Sequence, residues 1–164
     1  MYITKDRYTG LYGPIDETVF NRLEFDACRV MDRYTTGIDG IKKLRKYFPV
    51  EEDAKEAVEH CAAKLINLLD QIGKAEEAAA LGRGYTQTEQ GLQRKIISRV
   101  ESGNEAVSYS ETRVSDTSID AAVADRSERE KLLADTVREW LSGVTDSNGV
   151  NILYMGAYPW RTIW

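Results

Sequence analysis

Residues 51–72 read EEDAKEAVEHCAAKLINLLDQI, and this stretch decides the fold. Ala54, Ala57, Val58, Cys61, Leu65, Leu68, Leu69 and Ile72 recur at steps of three and four, which lines them up on one stripe of an α-helix. Glu51, Glu52 and Asp53 crowd the start, where carboxylates complement the positive end of the helix dipole. Pro49 ends whatever helix precedes it. The spacing therefore predicts a long helix from about Glu51 to Ile72. Gly73 either stops it, or the Ala-rich run Lys74–Leu81, with its high intrinsic propensity, extends it.

The same period recurs on both sides. Phe20, Leu23, Ala27, Val30, Met31 and Tyr34 predict a helix from about Asp16 to Tyr34, with Asp16 as its cap. Before it, Thr4 caps a brief helix through Tyr8, punctuated by Gly10 and Gly13. Ile38–Phe48 reads as a shorter helix with Ile41, Leu44 and Phe48 turned inward. Leu133, Val137, Trp140 and Leu141 form the last stripe, ended by Gly143. Ser127 with Glu130 fits a capping box for that helix, with an earlier start near Ile119 as the alternative.

Two regions break the helical period. Ile96–Val100 and Ala106–Ser110 are short β-favouring runs around Ser102-Gly103-Asn104, which predicts a hairpin over about 96–110. A lone hairpin is barely stable in water, so it needs the helices or a partner chain to lean on. The stretch from Val150 to Trp164 is dense in large apolar and aromatic residues, where chain ends are ordinarily polar and frayed. Such a tail either folds back on its own core or binds another subunit. The expected architecture is mainly α: a small helical bundle with a short β-hairpin and an extended C-terminal tail. Residues 1–143 form the helical domain and 144–164 a C-terminal docking tail. A chain of 164 residues fits one such domain, and no fixed-period repeat divides it.

Charge and chemistry narrow the function. Asp and Glu number 27 against 22 Lys and Arg, a net charge of −5, and an acidic chain does not grip phosphates through its overall field. Lys42, Lys43, Arg45 and Lys46 are a local exception and the candidate phosphate-facing residues; the alternative is a surface face balanced by nearby acids. Cys28 and Cys61 fall within the helical patterns and read as buried thiols, not as a disulfide framework or a zinc site. His60 is the single histidine, so a two-fold Glu-x-x-His metal site cannot be assembled. Neither a Gly-x-Ser-x-Gly elbow nor a phosphate-binding Gly-Lys-Ser/Thr loop occurs. The expectation is a non-enzyme with no catalytic residue, metal or cofactor. No basic leader precedes an apolar run, and no stretch approaches the roughly 18 apolar residues of a membrane span. Cytoplasmic synthesis without a membrane partner is expected. Edge strands and greasy tails join chains, by strand addition and by filling grooves, so an assembly component is the natural reading.

At family level the arrangement resembles the head–tail connector (adaptor) proteins of long-tailed bacteriophages and prophages. The resemblance rests on Met1-Tyr2-Ile3-Thr4, Asp16 with Phe20–Phe25, and Asp32-Arg33-Tyr34-Thr35. It continues through His60–Leu69, Ile97–Tyr109 and the closing Asn151–Gly156. It covers most of the chain in matching order; the stretch Ala75–Arg94 and the aromatic end Tyr158–Trp164 run longer than the family pattern. It implies a structural virion protein at the head–tail junction, made in the host bacterial cytoplasm. Copies would close into a dodecamer-like ring under the portal protein. The ring would extend the DNA channel, let DNA pass without reading its sequence, and dock the stopper or tail-completion protein. A closed ring repeats one head-to-tail interface. Val107, Tyr109, Leu153, Tyr154 and Trp160 are the interface candidates. Three other classes compete: a different phage head- or tail-completion protein, expected to carry more strands; a small DNA-binding regulator using the basic second helix; and an enzyme built on His60 and carboxylates.

Overall fold

The computed structural model describes residues 1–80, 85–88, 91–94, 96–100, 107–110 and 118–159, with side chains for 1–78 and 118–159. Among the described residues the chain is mainly helical, with six helices. These are α1 (Lys5–Tyr12), α2 (Glu17–Thr35), α3 (Lys43–Lys46), α4 (Glu52–Ala80), α5 (Ser118–Ala124) and α6 (Arg126–Leu141). Two compact units divide the chain: Met1–Leu69 with Leu133–Trp164, and Asp70–Leu132.

In the first unit the long stripe of α4 is the core. Val58, Cys61, Leu65 and Ile66 are fully buried, joined by Ala62 and Ala63, so the buried face is broader than the stripe read from spacing. Phe20, Leu23, Ala27, Cys28 and Met31 of α2 pack into the same cluster with Leu44 of α3, Val137 and Leu141 of α6, and Ile152 beyond. The caps follow the sequence. Thr4 accepts from the Arg7 amide at 3.3 Å, and Asp16 accepts from the amides of Thr18 and Val19 at 2.8 and 3.2 Å. Those two amides hold the Asp16 carboxyl below its ordinary value, Val19 contributing most. Cys28 and Cys61 are free, buried thiols, each pushed up to about 12 by burial, with Glu24 adding to the effect at Cys28.

Two elements differ from expectation, and a third takes one of the alternatives left open. The helix expected over 38–48 is a single turn, Lys43–Lys46. Its first half is instead a tight turn: Asp39 accepts from the Ile41 amide at 3.0 Å, Gly40 adopts φ 73°, and Thr36 bridges to Lys42. At Gly73 α4 takes the extended alternative and runs on to Ala80, in line with the helix propensity of the Ala-rich run. The cap of α6 is Asp125, which accepts from the Ser127 amide at 2.6 Å; the helix starts one residue before the expected capping serine.

The second unit has its own small apolar cluster of Ile72, Ala122 and Val123, with Ala75, Ile119 and Leu132 against it. Arg129 ties it by an ion pair to Glu76 and by donating to the Ala122 carbonyl at 3.1 Å. Four short strands belong here: β1 (Tyr85–Thr88), β2 (Gly91–Arg94), β3 (Ile96–Val100) and β4 (Val107–Ser110). They pair as two separate antiparallel ladders, β1 with β2 and β3 with β4. The Ser102–Asn104 turn expected between β3 and β4 lies outside the described residues.

Leu65 sits at the middle of the α4 stripe with no solvent exposure. Leu65→Ala is expected to lower stability by about 2–5 kcal/mol, through lost apolar burial plus a residual cavity. Urea unfolding followed by circular dichroism reads the loss directly.

Candidate functional site

The C-terminal segment is held on the first unit. Val144 to Asn151 form a tight loop, with the Asp146 amide donating to the Val150 carbonyl at 2.8 Å and the Ile152 amide to Val144 at 3.0 Å. From there the chain crosses α3 and the turn before it. The Lys43 amine donates to the Ile152 carbonyl at 3.1 Å and to the Tyr154 carbonyl, and stands 5.7 Å from the centre of the Tyr154 ring. The Ile38 amide donates to the Met155 carbonyl at 3.0 Å. Tyr158 closes the clasp: its amide donates to Asp39 Oδ2 at 2.6 Å, its hydroxyl donates to Asp146 Oδ2 at 2.6 Å, and its ring stacks on Tyr47 at 4.5 Å. Gly37 is required here, because a Cβ at that position would stand 2.6 Å from the Gly156 carbonyl oxygen.

This arrangement corrects the basic patch. Lys43, expected to face phosphate, has 0% exposure, and its amine is aimed inward at backbone carbonyls. Loss of solvent holds its pKa below the ordinary value, with Asp39 and Asp146 opposing that shift. Arg45 donates through Nε to Asp32 Oδ2 at 2.6 Å, and that bond raises its pKa. Lys42 stands 4.0 Å from the same carboxylate. Lys46 is exposed, with its ammonium 5.2 Å from the centre of the Tyr47 ring.

The interface candidates separate. Leu153 is half-buried against the core, whereas Tyr154 is exposed. Met155 and Ile38, not singled out from sequence, are exposed beside it, Ile38 to 81%. Val107 faces Val100 and Tyr109 faces Ile97 in the β3–β4 ladder; their side chains, and Trp160, lie outside the described residues.

A second feature lies beside residues 42–46, on α2. Asp32, buried on α2, accepts from the Tyr2 hydroxyl at 2.6 Å as well as from Arg45. Burial, then Asp32, pushes the Tyr2 hydroxyl far above its usual range. Around this carboxylate opens a depression of about 640 Å³ lined by Phe25, Arg29, Arg33, Thr36, Lys42 and Arg45. The signal that finds it is the second face of α2, where Phe25, Arg29 and Arg33 follow at steps of four opposite the apolar stripe.

His60 stacks on Trp140 at 5.5 Å and lies 3.4 Å from Glu56 on the same helix. Among the described residues no helix is long and apolar enough to cross a membrane. Comparison of the chain with protein-family models, with curated proteins and with solved structures returned no match.

Lys43→Met leaves the buried Ile152 carbonyl and the part-buried Tyr154 carbonyl without this donor and is expected to cost about 1–3 kcal/mol. Hydrogen exchange at the amides of 151–158 should speed up more than in α4. The clasp also has two pH limits. Asp39 lies below its ordinary 3.8, chiefly through the Tyr158 amide, so its contribution is complete above that value and lost as pH falls through the lowered one. Tyr158 is pushed up to about 12, first by burial and then by Asp146, so its contribution is complete below the ordinary 10 and lost as pH rises toward 12. NMR shifts of the Tyr158 amide and ring should stay constant between these limits and change outside them, with Asp39→Ala abolishing the acid step.

Proposed function

We propose that this chain is a head–tail connector (adaptor) protein of a long-tailed phage or prophage. It works as a structural part of the virion, without catalysis or a cofactor. Copies close into a ring beneath the portal protein, extend the DNA channel and offer a docking surface to the stopper or tail-completion protein. DNA passes through without sequence recognition. The protein is made in the host bacterial cytoplasm and resides at the head–tail junction.

The observation that carries this reading is the apolar lip on the clasp. Ile38, Tyr154 and Met155 are large, exposed and joined through the Ile38–Met155 backbone bond. Exposed apolar residues grouped on a rigid frame favour association, because burying them against a neighbour removes their surface from water. The lip docks on the adjacent copy in the ring, and the β3–β4 ladder, whose outer edges pair with no other described strand, is the second contact. The family resemblance over most of the chain supports the same reading. The sequence-reading DNA regulator draws less support, since Lys43 and Arg45, two of its four cations, serve internal partners.

Mixing the protein with portals encoded beside it should give a continuous ring of added density in negative-stain images. Ile38→Glu with Met155→Glu is expected to keep the native circular dichroism spectrum and lose the ring. Absence of added density with the native protein, or rings from the double variant as complete as the native ones, would overturn the proposal.

A further inference from the structure

The depression between α2 and α3 is a built cationic cleft in an acidic chain. Four cations, Arg29, Arg33, Lys42 and Arg45, surround one carboxylate, Asp32. Arg45 already neutralises Asp32, which also accepts from Tyr2. Lys42 is exposed and stands 4.0 Å from that carboxylate. Arg29 and Arg33 are exposed and make no ion pair with any described residue. One turn apart on α2, they repel each other, and like charges at this spacing destabilise a helix. An anion between them turns that repulsion into attraction. Their planar guanidinium groups match carboxylates in a bidentate fashion.

Phe25 adds a second kind of contact. It is 58% exposed, and the Arg29 guanidinium lies 5.8 Å from the centre of its ring. Phe25, Arg29 and Arg33 make a track along α2 of about 12 Å at 1.5 Å per residue. An extended peptide of about four residues covers that length.

We propose that this cleft binds an acidic segment of a partner protein. Arg29, Arg33 and Lys42 take its carboxylates, and an apolar or aromatic side chain lies on Phe25. Two observations favour a peptide over a DNA duplex. The cleft is concave, so a ridge of side chains enters it where a rigid convex duplex touches only its rim. The net charge of −5 also opposes a long polyanion, whereas a short peptide senses the local cations within the roughly 8 Å Debye length at physiological salt. The proposal stands on the cleft alone and is independent of the connector reading.

The test is fluorescence anisotropy with a labelled Glu-Glu-Phe-Glu-Glu-Phe peptide and the full chain. The expected dissociation constant is on the order of 10–100 μM, weakening with salt. Arg29→Glu and Arg33→Glu should each weaken binding by about tenfold or more, and Phe25→Ser by several-fold, with the circular dichroism spectrum unchanged. Arg29→Lys should fall between, since it keeps the charge and loses the fork. Arg22→Glu is the charge-matched control: Arg22 is exposed on α2 and does not line the cleft, so binding should persist. No binding at millimolar protein, or equal losses in the Arg22 and Arg29 variants, overturns the proposal. So does a duplex oligonucleotide that binds more tightly and displaces the peptide, which would assign the cleft to nucleic acid.

Discussion

A helix of four residues cannot hold itself together in water, since forming one turn fixes several dihedral angles for a single hydrogen bond. α3 is such a helix, and the first unit is organised around what fixes it. Three consecutive side chains leave it in three directions. Lys43 reaches the carbonyls of the C-terminal segment, Leu44 enters the core, and Arg45 reaches Asp32 on α2. Asp32 in turn holds Tyr2, so the N-terminal segment, α2, α3 and the tail meet through one short turn.

The energetic character of those ties differs. Leu44 contributes apolar burial, which is non-directional and tolerant of small shifts. Asp32 and the Lys43 amine are polar groups withdrawn from water, which is tolerable only while their partners stay in place. Charge-assisted bonds to Tyr2, Arg45 and the two tail carbonyls meet that requirement. The unit therefore depends on geometry at α3 more than its small size implies. The cleft shares these ties, because Asp32 and Arg45, bonded to each other, line it together with the exposed Arg29 and Arg33.

Much of this was legible locally. The stripes of α2 and α4 carry a strong 3.6-residue period, and the caps at Thr4 and Asp16 use chemistry contained within three residues. What escaped was non-local. Residues 38–48 have helical apolar spacing, yet Gly37 lies against the Gly156 carbonyl and Asp39 bonds the Tyr158 amide, so the first half is shaped by a segment far along the chain. Lys43 looked like a surface cation because nothing near it in sequence announces two carbonyls at positions 152 and 154. Arg29 and Arg33 were readable as the polar face of α2, but their meeting with Lys42 and Arg45 depends on how α3 docks. The aromatic end beyond Pro159 lies outside the described residues.

The seat of the clasp lies between Gly37 and Tyr47, while the segment that fills it lies between Val144 and Tyr158, and the bonds joining them span 109 to 119 residues. Ribosomes deliver these halves at different times. While residues 37–47 emerge, Lys43 has no carbonyls to satisfy it and the half-made unit cannot close. Completion waits for the synthesis of residue 158, well after the helices with local contacts have formed. A chain that stops short of residue 158 can form the local helices but not these bonds, because the segment that fills the seat is missing.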